Sequence, residues 1–442
     1  MNTRSSPWRV TEGMPSLPEV HSSLPIPSGP SFLRKLVAFA GPGFLVAVGY
    51  MDPGNWATDL AAGSQFNYAL LSVVLISSLM AILLQSLSLK LGIVVERDLA
   101  QACRDAYSKP VSIGLWVLAE IGIAACDLAE VIGSAIALQL LFHIPLTIGV
   151  CITAGDVLLM LLLQQRGFRY IEAIVVTLIA TISICFGLEI LYSRPELWPM
   201  LAGFLPHQEL VTNHAMLYIA VGILGATVMP HNLYLHSAIV QTRQYERTPE
   251  GKREAIKYCN IDSAIALSFA FLVNAAILIM AASVFYRSGH REVAEISDAY
   301  RLLSPLLGVT GASVIFAIAL LASGQNSTLT GTLAGQIVME GFLSIRLKPW
   351  LRRLVTRLIA IIPAVIISFF YGASGTAKLL IFSQVVLSMQ LSFAVFPLVA
   401  FTSSKEKMGE FANGALLKLV AWTVAIVIAG LNIWLLVEAV RG

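Results

Sequence analysis

Gly49-Tyr50-Met51-Asp52-Pro53-Gly54-Asn55 interrupts the first long apolar segment of the chain, which runs from about Leu36 to Ala62. A carboxylate, a proline, a glycine and an amide in succession suit the interior of a membrane helix poorly. Pro53 has no N–H to donate and its ring clashes with the preceding turn, while Gly54 adds backbone freedom. The helix is therefore expected to break here, leaving carbonyls without partners in their own helix. Within hydrocarbon such groups are tolerated only where protein encloses them or water reaches them. An ionisable residue at that depth marks a functional site by default, so the first expectation is that the break holds a cation.

The rest of the chain sets the class. Of 442 residues, 57% are hydrophobic and 12% charged, against roughly 25% charged in a soluble domain. This is the composition of an integral membrane protein, with the lipid bilayer as its surroundings. The net charge of +3 does not argue for a nucleic-acid partner, because the basic residues follow topology. Cys103, Cys126, Cys151, Cys185 and Cys259 form no CxxC pair and read as small buried thiols. Residues 1–35 are polar and rich in Ser and Pro, and read as a flexible cytoplasmic tail. Ala38-Phe39-Ala40 mimics a signal-peptidase site, but almost no apolar run precedes it, so cleavage is not expected.

A spanning helix needs about 20 mostly apolar residues. That rule predicts eleven spans, at 36–62, 67–93, 111–142, 145–164, 169–193, 215–240, 260–286, 310–342, 354–372, 377–401 and 414–439. With the N-terminus inside, only Arg194, Arg287, Arg291, Arg301, Lys378 and Arg441 of the 29 basic residues fall outside. The asymmetry predicts a cytoplasmic N-terminus and an outer C-terminus.

A second interruption, Gly225-Ala226-Thr227-Val228-Met229-Pro230-His231, falls in the sixth span, five spans after the first. Broken helices in matching positions of two halves are the sequence pointer to a transporter site. An odd number of spans per half makes the second repeat inverted. The expected fold is thus an all-α polytopic domain over 36–442, with repeats at 36–193 and 215–401 and an extra helix at 414–439.

The breaks offer a distinctive donor set. Asp52 supplies a hard carboxylate oxygen, Asn55 an amide oxygen and Met229 a thioether, and carbonyls freed around Gly49 and Ala226 add further oxygens. Mg²⁺ and Ca²⁺ prefer all-oxygen sites, whereas a thioether favours later or softer metals. The mixture points to a divalent transition metal such as Mn²⁺ or Fe²⁺. Gln384 and Gln390 of span ten are candidates for one more oxygen; six residues apart, they point about 120° from each other, so at most one faces the site.

Span three carries Glu120, Asp127 and Glu130, which lie within about 80° of one another on a helix surface. His231, just past the second break, is the neighbour that titrates near neutral pH. Acid–His chains mark proton relays in membranes, so a proton path from His231 and Asp52 towards Asp127 and Glu130 is expected. The structural alternative pairs these acids with Arg352, Arg353 or Arg357 of span nine. His236 suits packing or a pathway edge equally. The run Ser323-Gly324-Gln325-Asn326-Ser327-Thr328 in span eight reads as scaffold for close helix packing.

Together these motifs resemble the Nramp family of proton-coupled divalent metal transporters, in its bacterial manganese branch. The resemblance rests on Asp52-Pro53-Gly54-Asn55, Asp127-Leu128-Ala129-Glu130, Met229-Pro230-His231-Asn232 and Gly324-Gln325-Asn326-Ser327-Thr328 followed by Gly341. It implies a LeuT-like fold working by alternating access. It also implies a metal site of Asp52, Asn55, Met229 and the Ala226 carbonyl, joined in some states by Gln384 and the Gly49 carbonyl. Glu120, Asp127, Glu130 and His231 match the family's proton-linked groups, and Arg352 to Arg357 its basic ninth span. No resident cofactor is expected, since the metal and the proton are cargo, and the chain is expected to act as a monomer.

Three other readings compete. A same-fold transporter of another solute would bind a carboxylate at the freed helix ends, which the buried Asp52 and the thioether oppose. An intramembrane protease needs a motif such as H-E-x-x-H or G-x-S-x-G, and neither occurs. A passive metal uniporter differs only in its energetics.

Overall fold

The computed structural model describes residues 16, 24–26, 31–153, 155, 168–291, 293, 295–345 and 349–441. The side chains of Arg352, Arg353 and Arg357 lie outside the described residues, as does most of the expected fourth span beyond a helical start at 146–153.

Three helices make up the first expected span: α1 (Phe32–Phe39), α2 (Pro42–Gly49) and α3 (Pro53–Phe66). The break between α2 and α3 was expected; a 47° bend between α1 and α2 was not. Gly41 turns that corner at φ +129°, a conformation that favours glycine. The Asp262 carboxylate accepts hydrogen bonds from the N–H groups of Gly41 (3.3 Å) and Gly43 (2.7 Å), so the bend is held from far along the chain.

Then come α4 (Leu71–Val95), the short α5 (Leu99–Ala106), α6 (Lys109–Phe142) and α7 (Phe168–Ser193). The sixth expected span is again two helices, α8 (His214–Thr227) and α9 (Pro230–Ile239). α10 (Pro249–Ala281) continues into a π turn at Ala282–Tyr286 and is followed by α11 (Ile296–Leu307) and α12 (Ala312–Leu343). α13 (Pro349–Ser403) and α14 (Ala415–Arg441) complete the chain. Among the described residues, eight helices are long and apolar enough to cross a membrane, or nine if α1 and α2 count as one bent span. These are the expected spans other than the fourth and ninth.

One boundary is corrected. The sequence reading separates spans nine and ten at 373–376, whereas helical backbone runs unbroken from Pro349 to Ser403. Gly372 and Gly375 are the weak points there, and a glycine costs a helix only about 1 kcal/mol. With no proline nearby, the backbone hydrogen bonds carry on.

The broken helices lie at the centre. α3 packs against α6, α8, α10 and α13, and α9 against α2, α4 and α12. α7 and α14 bury only 33% of their apolar windows, so they stand at the lipid-facing periphery. At the end of the bundle rich in Lys and Arg, Arg243 is fully buried; it pairs with Glu172 of α7 at 2.7 Å and donates to the Ala40 carbonyl.

Candidate metal site at the helix breaks

The residues that end one helix begin the next. Asp52 is the N-cap of α3, Pro53 takes its first position, and Asp52 Oδ1 accepts a hydrogen bond from the Asn55 N–H at 2.9 Å. Asp is a preferred N-cap and Pro suits the first helical position. Tyr50 and Met51 are left between helices, and their carbonyls are satisfied from elsewhere. The Asn55 and Asn274 amides donate to the Tyr50 carbonyl, and the Ser323 hydroxyl of α12 donates to that of Met51. The sixth helix repeats the plan, with Met229 as the N-cap of α9 and Pro230 at its first position. Methionine has no oxygen with which to cap, so its thioether stays unengaged by its own helix.

Asp52, Met229 and Gln384 are 0% exposed, and Asn55 and Ala226 1%. Met229 packs against Cys126 of α6 and Leu387 of α13. Gln384 reaches the break because Gly54 has no side chain: a Cβ there would fall on the Gln384 amide. Gln390 lies instead against Gly122 of α6. Gly49 ends α2 against the Asn232 amide, and Ala226 lies in the last turn of α8. Three buried acceptors here, Asn55 Oδ1, Gln384 Oε1 and Asn232 Oδ1, have no hydrogen-bond partner. An unsatisfied buried acceptor costs about 1–3 kcal/mol, and a cation relieves that cost where a further acceptor would not. Among the described residues no three His, Cys, Asp or Glu side chains gather as a metal cluster. The side chains at the breaks offer one carboxylate, amide oxygens and a thioether, a set that would suit a single dication of intermediate softness.

From this point acidic groups continue along α6. Cys126 Sγ lies 4.0 Å from Asp52 Oδ2, 3.7 Å from Glu130 Oε1 and 3.9 Å from His231 Nε2. It sits where the residues of the two breaks meet the acids of α6. Glu130 also accepts from Thr328 Oγ1 at 3.2 Å, and Asp127 acts electrostatically on His231. Asp127 and Glu130 are 0% exposed. Glu120 stands apart, half-buried and accepting from Trp116 Nε1 at 3.1 Å. His236 belongs to a different chain of contacts: its Nδ1 lies 2.9 Å from Gln85 Oε1, and Gln85 Nε2 donates to the Tyr50 hydroxyl at 2.6 Å. These bonds tie α9 to α4 and to the first break.

Sequence reasoning missed two residues. Cys126 reads as packing because a lone thiol on an apolar helix usually is; its one signal is a position one turn before Glu130. Asp59 of α3 is buried with Oδ2 unpartnered. Seven residues after Asp52, it lies on the same helix face about 10 Å further along, and an acid in an apolar span was signal enough. Ser323 and Thr328, read as scaffold, each bond directly to the site.

The family profile described as natural resistance-associated macrophage protein-like (Nramp) matches residues 43–438. The chain is 66% identical over 429 residues to a divalent metal cation transporter MntH of Listeria innocua serovar 6a, covering 97% of this chain and 96% of that one. A crystal structure of an Eremococcus coleocola manganese transporter, in complex with an aromatic bis-isothiourea substituted compound, is similar with TM-score 0.88. The identity is 45%, and the match covers 95% of this chain and 90% of that one. MhsT in complex with L-phenylalanine is similar at TM-score 0.61 and 14% identity, covering 88% and 98% of the two chains. At that identity the likeness shows the fold alone.

Proposed function

The chain belongs to the Nramp family, and on that premise we propose that it imports Mn²⁺ and Fe²⁺ and moves protons with the metal. The family consists of transporters rather than enzymes, and the fold is LeuT-like, with the first and sixth helices broken. Similar proteins are named for divalent metal cations and for manganese. The observation that supports the reading is the full burial of Asp52, Asn55 and Met229 at the two breaks and of Gln384 beside Gly54, with orphaned oxygens among them.

In this reading the metal exchanges part of its water for Asp52, the Asn55 and Gln384 amides, the Met229 sulfur and the Ala226 carbonyl. The Gly49 carbonyl joins as the helix halves move in alternating access. A dication arriving beside the Asp52 carboxylate repels a proton held there. Glu130 and His231, each within 4 Å of Cys126, are the groups to receive it, with Asp127 and Glu120 further along α6. The single protein carboxylate leaves the dication incompletely neutralised, which makes release possible. The chain works as a monomer in the bacterial inner membrane, N-terminus inside, as the distribution of its basic residues argues.

Uptake into proteoliposomes tests this, with Mn²⁺, Ca²⁺ or Mg²⁺ outside and with or without an acid-outside pH gradient. Mn²⁺ should enter, accumulate above its outside concentration when the gradient is present, and carry protons inward. Ca²⁺ and Mg²⁺ should not. Asp52→Ala should abolish uptake in protein that still inserts and elutes as a single species. Normal Mn²⁺ uptake by that variant would overturn the site; uptake that never exceeds equilibration would make the protein a uniporter.

A further inference from the structure

Away from the helix breaks, at the end of the bundle rich in Lys and Arg, a cavity of about 410 Å³ opens between α5, the start of α6 and the end of α12. Arg104, Tyr107, Lys109, Ile113, Phe342 and Leu343 line it. One side is cationic. Asp105 is shared between Arg104 at 2.8 Å and Arg97 at 3.2 Å, and Arg104 also acts electrostatically on Asp98. Arg104 Nη1 donates to Ser344 Oγ at 2.7 Å, which holds the guanidinium at the mouth. Lys109 is exposed and makes no ion pair among the described residues.

α6 starts at the same point, and Ser108, its N-cap, makes no side-chain bond to the first turn. Pro110 in that turn has no N–H, but the uncapped N–H groups of Lys109 and Val111 are of the kind that attracts anions. The other side of the cavity is apolar. Phe342 and Leu343 form its wall, and Val111, Ile113 and Ile345 stand 48%, 40% and 48% exposed beside it. A free anion uses only the cationic half of such a site; an amphiphile uses both. Basic pockets between helices at one membrane face are where anionic headgroups bind.

We propose that this cavity binds one anionic glycerophospholipid, its phosphate on Arg104, Lys109 and the first turn of α6 and an acyl chain along Ile113, Phe342 and Leu343. The assignment rests on the multi-pass fold and is independent of the metal-transport reading.

The test is thermal unfolding of the full-length protein in neutral detergent, titrated with short-chain phosphatidylglycerol, phosphatidylcholine of the same chain length, or inorganic phosphate. Phosphatidylglycerol should raise the midpoint saturably, and the other two should not. Lys109→Gln should raise the half-saturating concentration about fivefold, from roughly 1 kcal/mol per basic residue near an anionic lipid, and Lys109→Glu should remove the effect. Lys109 is exposed, so both variants should fold, with unchanged elution and unchanged midpoint without lipid. Equal effects of phosphatidylcholine, or a Lys109→Gln titration like that of the parent, would overturn the proposal. Saturation by phosphate alone would overturn the lipid assignment in favour of a free-phosphate site.

Discussion

Met229 occupies an N-cap where Ser, Thr, Asp or Asn would stabilise α9 by about 1 kcal/mol, and its side chain makes no cap bond. The chain forgoes that stabilisation to hold a thioether beside Cys126, whose sulfur lies 4.0 Å from Asp52 Oδ2. Met229→Ser exchanges the one for the other. Thermal stability should fall, because the cavity left by a fully buried methionine side chain costs about 2–5 kcal/mol against about 1 kcal/mol for the new cap. Exclusion of Ca²⁺ in competition uptake with Mn²⁺ should weaken several-fold. If Ca²⁺ is excluded as before, sulfur does not set selectivity. Asp59 poses a related question, since a buried carboxylate with an unpartnered oxygen has no evident structural reward. Asp59→Asn should raise the unfolding midpoint and lower the rate of Mn²⁺ uptake. A stabilised protein with full uptake would make Asp59 a tolerated defect.

At the level of elements, the two breaks and the bend between α1 and α2 have different origins. Asp52-Pro53 and Met229-Pro230 act locally, each proline ending one helix and starting another, and such signals are readable in a chain. The bend at Gly41 depends on Asp262, 221 positions away, and has no local signature beyond a glycine before a proline. α5 shows how a short element acquires pH sensitivity. Asp98 caps it, accepting from Gln101 N–H at 2.9 Å and from Ser16 Oγ at 2.5 Å. Both bonds favour the anion, yet burial outweighs them and pushes the Asp98 carboxyl up to about 6, above the ordinary value of about 4. The folded state therefore holds this proton more tightly than the unfolded chain. Its contribution is fully present below about pH 4 and is lost as the pH rises through about 6. Asp98→Asn keeps a capping oxygen and removes the titration. It should flatten the fall in unfolding midpoint between pH 4 and 7, and an unchanged pH profile would assign that fall to other groups.

Across the whole molecule, the two broken helices and α6 divide the work. The breaks supply the proposed metal donors, α6 supplies Asp127 and Glu130, and Cys126 and His231 lie where the two meet. Glu130 is 0% exposed and bonded to Thr328 of α12, so it can be tested apart from the residues at the breaks. Glu130→Gln preserves shape and removes the charge. Mn²⁺ uptake should persist in the variant, while its dependence on outside pH flattens or the accompanying proton flux falls. An unaltered pH profile and proton flux would remove Glu130 from the proton path.

The chain by itself determined the membrane class, the two broken helices and the placing of Asp52, Asn55 and Met229 at those breaks, because composition, proline position and side-chain chemistry are local properties. Helix periodicity also placed the acids of α6 on one face. What the tertiary structure decided is which remote groups meet those residues. Gln384 reaches the first break through the space that Gly54 leaves, Cys126 lands between Asp52, Glu130 and His231, and Ser323 takes the Met51 carbonyl. Each of these contacts joins helices far apart in the sequence, and the spacing along one helix does not specify the rotation or depth of its neighbour. The unbroken backbone of α13 was undecided for a kindred reason. A glycine only weakens a helix, and whether it bends there depends on what packs against it.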